Sequence, residues 1–451
     1  MTETRVETGF RRALDGFGRY LYPFFGAAMC AAAHVFAAHD VLFIYITLTV
    51  GLLLTLLLRE LYPMLVPSIF FFFSANAVHT PGPPVFSDHY HQPHVAVLTV
   101  AYILICIGSF ILFGVLTRKR KKPRLSPAFL SMLPLFCALV VGGVGNEKAG
   151  TADLLYSLVL ALSFSILYLA FRPHLHGKRD AAFVMRVLVA LGLAVVAMIA
   201  CTHIRSFAES GAMMSSEWFT VGWGVTTSVG LTLTMLIPPA FYLAATRPHG
   251  IGYVFCAALL LLATPFAFSR GGVLFGGIVF LLSLLLYFYV KGHRKLLRIS
   301  LIALGGVFLL LFAAAFFSSS LRALLLSVLD DSGRYRIFSL ALTRFIENPL
   351  FGAGFYDSYS GNWVFDVLPH FYHNTYLQIL ASTGIFGILA YAYHRTVTVK
   401  RMLKTRTPEM LFGMLGILSV MLASLLDVLF FIFYPGLIYS LYLLVMDAES
   451  A

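Results

Sequence analysis

Long apolar stretches recur along the whole chain, and they limit what it can fold into more than any other feature. Fourteen segments of roughly 17–22 mostly apolar residues can be marked off, each long enough to cross about 30 Å of hydrocarbon as a helix. They fall at 20–37, 41–58, 61–77, 95–116, 126–145, 152–171, 181–201, 220–245, 251–267, 271–290, 296–317, 375–393, 409–427 and 429–446. Composition agrees: 59% of residues are hydrophobic and 12% charged, where a soluble domain runs about half apolar and about a quarter charged. A soluble enzyme, a secreted disulfide scaffold and a disordered chain are excluded. The expectation is an all-α polytopic membrane protein with about 14 transmembrane helices, forming one integral membrane domain over 1–451.

The formal net charge of +12 is a topology signal. With these spans, one side of the membrane holds most of the 32 Lys+Arg, including the run Arg118-Lys119-Arg120-Lys121-Lys122 and the cluster Lys400, Arg401, Lys404, Arg406. The other side keeps only Lys148, Arg205, Arg270, Arg322, Arg334, Arg336 and Arg344, and there acids outnumber bases. The positive-inside rule makes the basic side cytoplasmic, with both termini on it. A membrane crossed many times is the location expected. Lipid accounts for the basicity, and no nucleic-acid partner is called for. The first span has no A-x-A-like cleavage site after it and reads as retained. Cys30, Cys106, Cys137, Cys201 and Cys256 lie in or at the ends of spans with no C-x-x-C spacing, so buried free thiols are expected.

Three outer segments are long: 78–94, 202–219 and above all 318–374. A long loop that is not disordered in composition is usually functional. The longest carries Arg322, Arg334, Arg336, Arg344, His370 and His373 on the face where arginine is disfavoured. Asp330-Asp331-Ser332 offers a helix cap, and Ile337, Leu340, Ala341 and Phe345 recur at helical spacing from Arg334 to Glu347. Asn348-Pro349 ends the helix, and Gly352 and Gly354 allow a tight turn. Arg334 and Arg336 sit in the first turn, where the helix dipole disfavours cations. A bound phosphate would reverse that penalty, since free backbone N–H groups and guanidinium forks both suit its oxygens. Local pairing with Asp330 and Asp331 is the alternative.

Three more residues point the same way. Arg270, in Ser269-Arg270-Gly271-Gly272, separates two spans at the outer boundary, and an ionisable residue at membrane depth is functional by default unless it snorkels to the headgroups. Arg205 follows the seventh span. His373 stands immediately before the span that begins at Thr375, and near neutral pH an imidazole can take a proton from a hydroxyl and release it later. Asp88-His89-Tyr-His91-Gln-Pro-His94 has donor types that suit zinc, but Pro81, Pro83, Pro84 and Pro93 leave the ligands on no common face. A solvated loop is the reading there; no metal and no cofactor is expected.

Four motifs occur in order: Ser269-Arg270-Gly271-Gly272, Gly333-Arg334-Tyr-Arg336-Ile-Phe338, Glu347-Asn-Pro349-Leu-Phe-Gly352-Ala-Gly354-Phe355, and His373-Asn374-Thr-Tyr-Leu377-Gln378-Ile-Leu380-Ala-Ser-Thr383-Gly384-Ile-Phe-Gly387. Together, over roughly 190–395, they resemble the shared domain of the O-antigen ligase and O-antigen polymerase superfamily. Phe338 stands where that family often has tryptophan, and Ser382 where it often has glutamate.

The resemblance implies a GT-C-like membrane glycosyltransferase working on the extracytoplasmic face, with 318–374 as its catalytic loop. Its donor would be a glycan on undecaprenyl diphosphate and its acceptor a hydroxyl on a glycan or glycolipid. Arg270 and Arg334 would hold the diphosphate, with Arg336 and Arg205 as further substrate-binding candidates, and His373 would activate the acceptor. Chemistry agrees, because a diphosphate leaving group needs cations and an attacking hydroxyl needs a base. A metal-independent, inverting displacement follows. One recognisable diphosphate site favours a ligase; the alternatives are a capsule- or O-antigen-type polysaccharide polymerase using the same donor, and a polysaccharide flippase or transporter. A transporter typically shows inverted repeats and midplane helix breaks, whereas here the polar residues gather in one outer loop.

Overall fold

The computed structural model describes residues 2–36, 40–74, 93–116, 125–146, 151–216, 219–221, 223–317, 334–355 and 371–448. The cap Asp330-Asp331-Ser332, Arg322, His370 and the 88–94 histidine motif lie wholly or mainly outside the described residues. Among the described residues the fold is all-helical, 82% helix, with an isolated bridge between Thr220 and Val225.

In chain order the helices are α1 (Thr2–Gly16), α2 (Tyr22–Val35), α3 (Asp40–Leu58), α4 (Leu65–Phe73), α5 (Pro93–Leu116), α6 (Pro127–Leu130), α7 (Leu133–Val141), α8 (Thr151–Phe171) and α9 (Gly177–Ser210). They continue as α10 (Thr226–Met235), α11 (Ile237–Thr246), α12 (Ile251–Ala263), α13 (Arg270–Val290), α14 (Arg294–Phe317), α15 (Arg334–Glu347), α16 (Thr375–Lys404), α17 (Pro408–Ala423) and α18 (Phe433–Asp447). Each of the fourteen apolar segments contains helix. Among the described residues, however, six helical stretches are long and apolar enough to cross a membrane, and six further apolar helices are shorter.

Proline accounts for several of the breaks. Pro63 lies in a short 3-10 turn ahead of α4, Pro238-Pro239 follow the break between α10 and α11, and Pro265 opens a 3-10 turn after α12. Proline cannot donate to the helical ladder, so it starts a helix more readily than it continues one. The core is built around α9 and the α10–α11 pair, which are the most buried of the crossing segments, with α17 and α18 packed beside them. Leucine and isoleucine side chains of α5, among them Leu104, Ile107 and Ile111, are exposed, as lipid-facing positions would be.

The basic face is cross-braced by paired charges. Arg19, buried, meets Asp15 at 2.8 Å, Glu60 at 3.2 Å and Asp180 across helices. Arg401 pairs with Asp447, which also accepts from the Tyr168 hydroxyl. Buried charges persist where such partners offset their desolvation. The five cysteines are free; Cys30 is buried, whereas Cys137 is exposed, contrary to the expectation of burial for all.

The largest departure from the sequence reading is α16. It runs on to Lys404, beyond the expected end at 393, and it is not one straight rod. Gly384 sits at φ 64°, ψ −158°, far from helical geometry. Tyr376 and Tyr391, on either side of it, have ring centroids 5.8 Å apart. On a straight helix their Cα atoms would stand about 22 Å apart at 1.5 Å per residue. The segments before and after Gly384 are therefore bent toward one another, and His373 sits at the head of the first.

Candidate active site

His373 is held in a left-handed backbone conformation, φ 49°, which a non-glycine residue adopts only when its surroundings enforce it. The following residues supply the enforcement. Asn374 caps α16, its Oδ1 accepting from the N–H groups of Tyr376 at 2.9 Å and Leu377 at 3.1 Å. Its Nδ2 donates to the Leu425 carbonyl at 3.1 Å, and the Thr375 N–H donates to the Ser424 carbonyl at 2.9 Å. On the other side, the Tyr372 N–H donates to Gln378 Oε1 at 3.0 Å, while Gln378 Nε2 donates to Ser382 Oγ at 2.9 Å. Asn374 and Thr375 thus dock onto the turn after α17, while Gln378 ties the residue before His373 to the first segment of α16.

That turn brings a residue that sequence reasoning missed. Asp427 Oδ1 lies 3.5 Å from His373 Nδ1, with Asp427 nearly buried and about half of the histidine side chain exposed. The same oxygen accepts from the Val428 N–H at 2.8 Å, and the Asp427 carbonyl accepts from Thr375 Oγ1 at 3.3 Å. A carboxylate beside Nδ1 favours the tautomer with the proton on Nδ1, leaving Nε2 as the nitrogen that can accept a proton. A signal was present: a lone acid amid Leu-Leu-Asp427-Val-Leu-Phe-Phe is an ionisable residue at membrane depth.

The start of the helix that carries Arg270 packs against the same turn. Phe268 takes a left-handed φ of 54°, and Ser269 Oγ then caps α13 by accepting from the Gly272 N–H at 2.9 Å. The two glycines permit close approach. A Cβ on Gly272 would lie 2.9 Å from the carbonyl carbon of Gly230 in α10, and one on Gly271 would lie 3.0 Å from Leu426 Cδ1. Exposed Arg270 therefore opens a helix that abuts the residue next to Asp427.

The arginine-bearing helix α15 covers Arg334–Glu347, the bounds expected from its periodicity. It packs on the first segment of α16 through Ala341, Tyr372 and Ala381, flanked by Ile337 and Leu377. Arg336 is exposed in its first turn, and Arg334 opens it. Arg344 is almost buried and pairs with Glu347 at 3.1 Å, a structural role.

The Asn-Pro-x-x-Gly-x-Gly segment after α15 explains how the α16 break is tolerated. Breaking a helix orphans N–H and C=O groups, which need partners. Here the Ala381 carbonyl accepts from Ala353 N–H at 2.7 Å and the Ser382 carbonyl from Gly354 N–H at 3.2 Å. Beyond the break, Ile385 N–H donates to the Pro349 carbonyl at 2.9 Å and Phe386 N–H to that of Leu350 at 3.3 Å. A Cβ on Gly352 would fall 2.3 Å from the Ser382 carbonyl carbon, and one on Gly384 would fall 2.4 Å from the Leu350 oxygen. Two motifs distant in sequence form one clasp, which Asp153 fastens from α8 by accepting the Phe355 N–H.

Arg205 stands apart. It is half exposed and forms an ion pair with Glu209 one turn along α9, at 2.8 Å. Its neighbour His203 is buried and bonds through Nε2 to the Phe266 carbonyl at 2.7 Å, fastening α9 to the turn before Arg270. The structure thus brings His373 beside Asp427, packs the start of the Arg270 helix against the same turn, sets α15 against the first segment of α16, and pairs Arg205 locally. Among the described residues, no group of three or more His, Cys, Asp or Glu could hold a metal ion.

Apolar helices packed in this way fit a membrane-embedded, multi-pass protein. Residues 255–392 match the family model described as O-antigen ligase, which supports a place for that stretch in the O-antigen ligase superfamily. The work of this family is glycan ligation or polymerisation in envelope glycan synthesis. The match spans Arg270, α15 and His373, whereas Arg205 and Asp427 lie outside it. No curated protein matches the chain.

Proposed function

We propose that this protein transfers a glycan from undecaprenyl diphosphate to an acceptor hydroxyl on the extracytoplasmic face of the inner membrane, as an O-antigen ligase does. The carrying observation is the His373–Asp427 pair on the turn that also seats the start of α13 with Arg270. Asp427 holds the imidazole so that Nε2 takes the acceptor's proton as its oxygen attacks the anomeric carbon. The bond from that carbon to the diphosphate breaks at the same time, inverting the centre. Arg270, Arg334 and Arg336 receive the charge developing on the diphosphate, so the step needs no metal. Arg205 is a peripheral member of this set, given its pairing with Glu209.

Depth supports the reading. Helix α17 has 16 residues and α18 has 15, whereas spanning the hydrocarbon takes about 20. In the topology expected from the charge distribution, the turn that joins them at Asp427 is recessed from the outer surface, open to a donor held in the membrane.

The test is reconstitution of the purified protein with a lipid-linked glycan, with and without a separate glycolipid acceptor. Transfer that requires the acceptor supports the ligase. Ladder formation from the donor alone would identify a polymerase and overturn the assignment.

A further inference from the structure

Helix α15 carries three distinct stripes. At 100° per residue, Tyr335, Leu342 and Ile346 share a sector about 40° wide, and Arg336, Thr343 and Glu347 share another, rotated by one residue. Ile337, Ala341 and Arg344 form the third, and this is the buried one, against α16 and its surroundings. The first stripe is apolar and exposed, with Leu342 at 46% and Ile346 at 74%; the second is polar and exposed. A helix fully inside hydrocarbon would have no polar stripe, and one fully in water would have no reason to expose the apolar one.

The apolar stripe does not end with the helix. It runs on into exposed Leu350, at 63%, and Phe351, whose ring lies 6.2 Å from that of Phe386. Phe386, Ile385 and Leu389 are exposed apolar residues at the start of the second segment of α16, part of a stretch apolar enough to cross the membrane. The backbone bonds from Pro349 and Leu350 to Ile385 and Phe386 pin the end of α15 to the top of that segment. The exposed stripe of α15 is thus continuous with a lipid-facing surface.

We propose that α15 lies flat in the membrane interface on the His373 side, its Leu342–Ile346 stripe in the acyl chains and its Arg336–Glu347 stripe in the headgroup layer. The occupant of the apolar face is bilayer lipid. Given the function proposed above, this places the arginine-bearing end of α15 in the plane of lipid phosphates, so that it meets a lipid-linked diphosphate without drawing it out of the membrane. A helix held by water alone would have to extract the donor first.

The test reads depth and does not depend on activity. Nitroxide labels are placed at Ile346→Cys, Thr343→Cys and Ala341→Cys, each in a protein whose five native cysteines are replaced, in phosphatidylglycerol–phosphatidylethanolamine vesicles. Oxygen should relax the label at 346 several-fold more effectively than a water-soluble nickel chelate does. The order should reverse at 343, and the label at 341 should be shielded from both. Equal nickel accessibility at 346 and 343 would place the helix in water and overturn the proposal. Shielding of 346 from both reagents would show protein on that face and overturn it as well. If the cysteine-free background fails to fold, Ile346→Trp in the native chain reads the same contact. Quenching by brominated lipids beyond that of the native tryptophans supports insertion, and none refutes it. Failure of glycan transfer with correct depth readings would count against the functional assignment alone.

Discussion

Asp427→Asn isolates the charge of the residue beside the histidine while sparing its shape. Asparagine keeps an oxygen that can accept from the Val428 N–H, so the turn should hold, and what is lost is the negative charge 3.5 Å from His373 Nδ1. At 3.5 Å, two unit charges attract by roughly 5 kcal/mol at an effective dielectric of about 20, and by roughly 1 kcal/mol in bulk water. Asp427 is nearly dry and His373 about half exposed, so the loss of imidazolium stabilisation falls between these, at about 2–3 kcal/mol, or about 10²-fold in rate. The assay is initial turnover of lipid-linked glycan in proteoliposomes, with protein content matched by quantitative blot. The decisive comparison is a cycle with His373→Ala: once the imidazole is gone, Asp427→Asn should cost little more. An Asp427→Asn variant within two-fold of wild type would refute the argument. So would a full additional loss in the double variant.

Other outcomes follow from the same geometry. His373→Ala should reduce transfer by about 10²–10⁴-fold with protein level unchanged, the usual contribution of a general base; near wild-type turnover would remove it from that role. Arg270→Lys and Arg334→Lys should both impair transfer, because lysine keeps the charge and loses the planar fork that grips phosphate; full activity of Arg270→Lys would mark that residue as a snorkelling cation. Gly384→Ala and Gly352→Ala should each destabilise the fold by at least about 2 kcal/mol, since their Cβ atoms would meet backbone atoms at 2.4 and 2.3 Å, both at positive φ. Gly108→Ala, which meets nothing within 4 Å, should leave thermal unfolding unchanged, and equal shifts in all three would discredit the clasp. Finally, cysteines at position 360 and position 120 should label from outside and inside respectively; reaction at 120 with an impermeant reagent in intact cells would invert the topology.

Hydropathy, charge asymmetry and short-range spacing were enough to read the apolar segments, the bounds of α15, the turn glycines 352 and 354, and Arg270 and His373 as the residues to follow. These are local properties: a run of apolar residues, a period near 3.6 or a glycine after a proline means much the same whatever packs against it. The reversal at Gly384 was not legible, because Ser-Thr-Gly-Ile-Phe reads as continuing helix until another segment offers partners to the orphaned backbone groups. That Arg205 pairs with Glu209 was not legible either, because the span expected to end at 201 continues as α9 to Ser210 and sets the two residues one turn apart. Asp427 was hidden at the end of an apolar span, and only packing shows that the turn it occupies bonds to Asn374 and Thr375, the latter 52 residues earlier. Which helix breaks, and which acid meets which histidine, is decided by where unsatisfied polar groups find partners in a nonpolar surrounding, and that depends on segments remote in the chain.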